Sequence, residues 1–211
     1  MNQEILNALK WRYAVKVFDP LKKVSEENMQ TILESARLAP SSIGIEAWKF
    51  FVIENPELRV KLRTACYDQS KVTDASHFVV LTYRTDVREH IANELIERAS
   101  KIQQVEPSSL DGLRKSVEGG IARKDDVALE TWVRSQAYIP LGMMIETSAL
   151  LGVDACPMEG FDNAKVDALL GLAEKNLKST SMIGFGYRGE DPASTRAKIR
   201  RDFNDVVEVL K

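Results

Sequence analysis

Between Asp126 and Gly152 the chain is apolar almost all the way round a helix: Trp132, Val133, Tyr138, Leu141, Met143, Ile145 and Leu150 leave no wholly polar face. A helix of this kind must be buried in a core or against a partner. Its uncharged run, Ser135 to Ile145, is closed by Arg134 and Glu146 and falls short of the roughly 18 residues that a membrane span needs. Read as one helix kinked at Pro140, the segment would run roughly 40 Å. That is about the diameter of a domain of 211 residues. One copy can hardly enclose such an element, so the segment predicts a homodimer formed through it.

The other elements are shorter. Asn2 to Lys10 reads as a helix with Ile5, Leu6 and Leu9 on one face. Ser25 caps a second helix whose first turn carries Glu26 and Glu27, and Ile32, Leu33, Ala36 and Ala39 form its buried stripe before Pro40. "WKFFVIE" is rich in strand formers, and Asn55 with Pro56 opens another helix. "HFVVLTYR", His77 to Arg84, is apolar enough for a strand buried on both faces. Asp86 to Arg123 reads as a mostly solvated helical excursion interrupted at "EPSS". A strand near "VDACPM", a helix capped by Asp162 and a strand in "STSMIGFGY" complete an α+β layered fold. No repeat or Gly/Ser linker divides residues 1–211, which predicts a single domain.

The 29 basic and 31 acidic residues leave a net charge of −2, which offers no general attraction to nucleic acid or an acidic membrane. Cys66 and Cys156 have no CxxC spacing and read as reduced thiols of a cytoplasmic protein. The N-terminus lacks the apolar core and cleavage site of a signal peptide. His77 and His90 have no partners at metal-ligand spacing, so no metal is expected. "DASH" holds the residue types of a hydrolase triad. Adjacent Ser76 and His77 in a strand, however, would face opposite ways.

Gly184, Gly186 and Gly189 fit G-x-G-x-x-G, but no helix, second strand and acidic residue follow, so glycines closing an edge strand explain them better. Arg12 and Lys16 point to one side in either a helix or a strand. Arg196, Lys198, Arg200 and Arg201 form a second basic cluster near the other end. Alone it reads as a solvated tail; with the first it can converge on one phosphate. "CPMEGF" sets Pro157 and Gly160 around Glu159 directly after a strand.

"RYAVKVFD", "LAPSSIGIEAWKFFVI", "DQSKVTDASHFVVL", "VDACPMEGFD" and "KIRR" occur in the order found in the FMN-dependent nitroreductase family, which the chain resembles along nearly its whole length. The resemblance implies an intertwined homodimer with a three-layer nitroreductase-like fold. Its mixed central sheet is flanked by helices, and two sites are shared between subunits. It also implies FMN as cofactor and NADH or NADPH as co-substrate. Hydride would pass from nicotinamide to flavin N5 and on to a nitroaromatic, quinone or similar small acceptor.

In this reading Arg12, Lys198 and Arg200 match the residues around the flavin phosphate. Lys16 and Lys71 match lysines near N1 and O2. Pro157, Met158, Glu159 and Gly160 match the stretch lying against the ring, and Ser41 and Ser42 match serines from the partner subunit. Tyr13 stands for a frequent His and Ala14 for a frequent Ser, which removes one hydroxyl contact. Asp68 takes the place of an Asn beside the pyrimidine, with Gln69 as the neighbouring donor. No side chain is implied as an obligatory acid or base. A flavin-binding protein without turnover, or a specialised relative such as an enone reductase or dehalogenase, would carry the same marks.

Overall fold

The computed structural model describes residues 1–211. In chain order it comprises α1 (Asn2–Trp11), α2 (Glu26–Arg37), β1 (Trp48–Val52), α3 (Pro56–Ala65), α4 (Lys71–Asp74), β2 (His77–Arg84), α5 (Val87–Gln103), α6 (Asp111–Ala122), α7 (Asp126–Gln136), α8 (Tyr138–Leu150), β3 (Asp154–Met158), α9 (Asn163–Leu170) and β4 (Leu177–Gly186). Helix starts follow local chemistry. Ser25, Asn55, Asp125 and Asp162 each accept the backbone N–H three positions on.

The sheet runs β1-β2-β4-β3, and every pair of strands is antiparallel. The α+β architecture is as the sequence predicts. The mixed character is confined to one isolated parallel bridge between Ala14 and Ala155. β2 and β4 are the inner strands, and their side chains alternate between two cores. Phe78, Val80 and Met182 face α3 and α9, with Leu62 and Val166; Val79, Leu81, Ile183 and Phe185 face α2 and α8, with Ile32 and Met144. Helix, sheet and helix make three layers.

Four expectations change. Residues 126–152 are two helices broken at Ala137. Pro140 has no N–H to give the Gln136 carbonyl, so the first helix stops and the proline sits in the opening turn of the next. The excursion from 86 to 123 is not simply solvated: Val87, Ile91, Val117 and Ile121 join Val133 and Ile45 in a third core. Gly184 and Gly186 lie on an inner strand rather than an edge. A Cβ at Gly186 would stand 2.8 Å from Phe18 Cδ1; the glycines exist so that Phe18 can lie on the sheet. Ser76 Oγ and His77 Nδ1 are 3.1 Å apart, since Ser76 precedes the strand. The Ser76 hydroxyl also accepts the Val24 N–H.

The single chain leaves apolar surface uncovered. α1 has no buried residue, and Leu6, Leu9, Ile139, Leu150, Ile199 and Phe203 are exposed. No helix is long and apolar enough to cross a membrane.

Candidate functional site

α1 ends at Trp11, and Arg12 takes an extended conformation (φ −66°, ψ 142°). The chain then runs beside β3: Ala14 bridges Ala155, and the Val15 N–H reaches the Ala155 carbonyl at 3.4 Å. This carries Lys16 toward the end of β3, where Pro157, Met158, Glu159 and Gly160 follow.

The far end of the chain comes back to the same place. Lys198 Nζ donates to the carbonyls of Leu9 (2.8 Å) and Lys10, closing the C-terminal turn of α1. Burial holds the half-buried Arg12 guanidinium below its usual pKa, and the charge of Arg200 adds to that. Burial likewise lowers Lys198, followed by the charges of Arg12, Arg200 and Arg188. No carboxylate offsets Arg12 or Lys198. The two basic clusters read from opposite ends of the sequence do converge.

A third wall is the turn between α3 and α4. Tyr67 and Asp68 are both left-handed (φ 54° and 56°), a conformation that non-glycine residues seldom take twice running. Gln69 Nε2 donates to the Cys66 carbonyl (2.9 Å) and to the Gly160 carbonyl (2.7 Å), tying this turn to the stretch after β3. The Gln69 amide hydrogens are thus committed inside the protein, which corrects the expectation of a free donor there; its Oε1 remains. Asp68 pairs with Arg63 at 2.7 Å. Lys71 opens α4, whose far end is closed by the buried Arg59 guanidinium donating to the carbonyls of Val72 (2.8 Å), Ala75 (2.5 Å) and Ser76 (3.4 Å). Burial, more than the nearby Lys71 charge opposes, pushes the Cys66 thiol up to about 11, so it is an inert core residue. The Glu159 carboxylate accepts a hydrogen bond from the Tyr138 hydroxyl.

Residues 12–16, 69–71, 157–160 and 198–200 are therefore linked through backbone and side-chain contacts in one chain. Ser41 and Ser42 stand apart: Ser41 Oγ accepts the Glu46 N–H, and the Ser42 N–H goes to Gln136 Oε1.

Sequence reasoning missed two carboxylates. Asp154, 3% exposed, pairs with Arg188 through Nε and Nη2 (2.5–3.0 Å) and also takes the Arg188 N–H at 2.8 Å. Asp191, 5% exposed, receives the Tyr13 hydroxyl (2.9 Å) and the N–H groups of Lys16 (2.7 Å) and Ala193 (2.9 Å). For Asp191 the available signal is "RGED" after a glycine-rich strand, which reads as an ordinary polar turn; Asp154 stands inside "VDACPM", where nothing local marks its partner Arg188. A cavity of about 220 Å³ at the opposite end of β2, lined by Tyr83, Arg84, Glu130 and Lys178, offers less. There Tyr83 and Lys178 both donate to Glu130 Oε1.

The nitroreductase family model matches residues 9–187. A Staphylococcus epidermidis protein named "putative NAD(P)H nitroreductase" is 37% identical, the match covering 100% of this chain and 99% of that one. Among solved structures, a "putative NAD(P)H:FMN oxidoreductase" from Staphylococcus epidermidis superposes with a TM-score of 0.84 at 21% identity, over 98% of this chain and 95% of that one. A "putative nitroreductase in complex with FMN" from Exiguobacterium sibiricum does so with a TM-score of 0.83 at 20% identity, over 98% and 97%.

Proposed function

Because the chain belongs to the nitroreductase family, we propose that it is an FMN-dependent NAD(P)H oxidoreductase acting as a homodimer on small electron acceptors. The observation that carries this is the meeting of Arg12 with Lys198 and Arg200, cations from both ends of the chain with no carboxylate to offset Arg12 or Lys198. Half-buried positive charge without a counter-ion is costly, and a phosphate monoester is the anion that such a cluster fits. FMN, when bound, supplies two-electron chemistry, taken from NADH or NADPH and given in a second step to a nitroaromatic, quinone or similar acceptor.

The residues of this chain bind and orient it. Arg12, Lys198 and Arg200 hold the phosphate end. Lys16 and Lys71 set fixed positive charge beside the edge of the ring that becomes anionic on reduction, where preorganised charge lowers the cost of that step. Tyr13 and Ala14 complete the first segment. The backbone from Pro157 through Met158 and Glu159 to Gly160 forms a wall against the ring, held in place by Gln69 on one side and Tyr138 on the other. Asp68, already paired with Arg63, offers its remaining oxygen to the pyrimidine edge. Ser41 and Ser42 come from the partner subunit, which agrees with their separation from the other residues in one chain. No side chain is assigned as an obligatory proton donor.

Anaerobic titration of the purified protein tests the reading. Yellow protein should bleach with NADH or NADPH and regain its colour on adding a quinone. Protein that is colourless and takes up no added FMN overturns the proposal; yellow protein that neither nicotinamide bleaches is a flavin-binding protein without this activity.

A further inference from the structure

Asp191 is a buried carboxylate with no part in the chemistry above, yet it stands where the two cationic segments join. One of its oxygens receives three donors from the first segment: the Tyr13 hydroxyl at 2.9 Å, the Lys16 N–H at 2.7 Å and the Val17 N–H at 3.4 Å. The other receives the Ala193 N–H at 2.9 Å, at the root of the segment that leads to Lys198 and Arg200. Around it the Val17 carbonyl accepts the Gly189 N–H at 3.0 Å, and the Tyr187 carbonyl accepts the Asp19 N–H at 2.8 Å. Burial alone would raise the Asp191 pKa, but the N–H groups of Lys16 and Ala193 and the Tyr13 hydroxyl outweigh it and hold it below the usual carboxylate range. It is an anion throughout the neutral range.

Arg188, three residues earlier, acts in the same sense. Its guanidinium is fixed by Asp154 and lies over the rings of Trp11 (4.4 Å) and Tyr13 (4.7 Å). These contacts hold the residues on either side of Arg12, whose own backbone is extended.

Resting on the flavin reading above, we propose that Asp191 is a positioning residue for the phosphate grip: it locks the register between residues 13–17 and the root of the C-terminal segment, so that Arg12 and Arg200 converge on one anion. Cations that repel each other separate unless their backbones are fixed, and Asp191 fixes both with four hydrogen bonds while contributing one buried negative charge at the joint.

Riboflavin, which has FMN's ring but no phosphate, separates this role from a merely structural one. The dissociation constants of FMN and riboflavin are measured by flavin fluorescence for the wild-type dimer, Asp191→Asn and Tyr13→Phe. The ratio of the riboflavin constant to the FMN constant should fall about tenfold in Asp191→Asn, with riboflavin binding changed by less than about twofold. Tyr13→Phe, which keeps the ring and removes one of the four donors, should move the ratio part of the way even if Asp191→Asn does not fold. Asp125→Ala, which removes the cap of remote α7, should lower the melting temperature and leave the ratio alone. Asp191→Asn or Tyr13→Phe weakening both flavins equally, or neither, overturns the positioning role while leaving the flavin reading intact. Wild-type protein that binds neither flavin overturns the flavin reading, and this inference with it.

Discussion

Arg12 is half-buried, within the influence of the Arg200 charge and with no carboxylate to offset it, and only an anion from outside the chain repays that arrangement. Arg200 is its exposed counterpart, donating only to the neighbouring Ile199 carbonyl at 2.8 Å, so its removal should cost ligand and not fold. Arg200→Ala is expected to lose one charge-assisted phosphate contact, about 1.5–3 kcal/mol, or roughly ten- to a hundredfold in the FMN dissociation constant. The thermal midpoint of the flavin-free protein should not move. Equal flavin occupancy in wild type and variant after exhaustive dialysis would remove the C-terminal segment from the site. At this scale the sequence was legible where charge repeats at short spacing, as in Arg12–Lys16 and Lys198–Arg200. It was opaque where a residue matters through a distant neighbour. Locally Asp191 is only the cap of a turn through the Ala193 N–H; the donors that set it apart lie at positions 13, 16 and 17.

Elements were easiest to read where capping and burial act locally, as at Ser25, Asn55 and Asp162 or along β2. They were hardest where one residue supports two readings. Pro140 inside an apolar run serves equally as a kink or as a helix start, and only the fold shows that it starts α8. The glycines of β4 were misplaced to an edge because a strand's neighbours are not written in its own sequence. Their real role makes a sharp prediction. Phe18 Cδ1 would meet a Cβ on Gly186 at 2.8 Å, with the Ser76 N at 3.2 Å behind it. Gly186→Ala must push Phe18 off the sheet, an overpacking cost of about 1–3 kcal/mol. Phe18 closes the segment that carries Arg12 and Lys16, so flavin affinity should weaken along with denaturant stability. Gly112, whose added Cβ would meet nothing within 4 Å, should accept alanine in α6 with no loss of either. A Gly186→Ala variant as stable and as yellow as wild type would mean that Phe18 packing does not govern the site.

At the scale of the whole molecule, three layers account for the inner faces of the sheet but not for the outside of α1, the outer side of α8 or the C-terminal tail. Ile139 and Leu150 are 38% and 50% exposed on α8, the helix whose apolar circumference first pointed to a partner. Uncovered apolar surface of this kind is what the proposed shared site requires, since obligate dimers bury about 2,000 Å² or more. Replacing both with glutamate tests this directly. The charges are tolerated in a lone chain, where both positions already meet water, and are buried without partners in a dimer, where each costs several kcal/mol. Ile139→Glu with Leu150→Glu should therefore sediment as a folded monomer with unchanged far-ultraviolet circular dichroism. On the proposed reading it should also be colourless, because Ser41 and Ser42 would no longer complete the site across the interface. A monomer that keeps FMN would show that one chain builds the site alone, and a dimer that survives both charges would move the interface off α8.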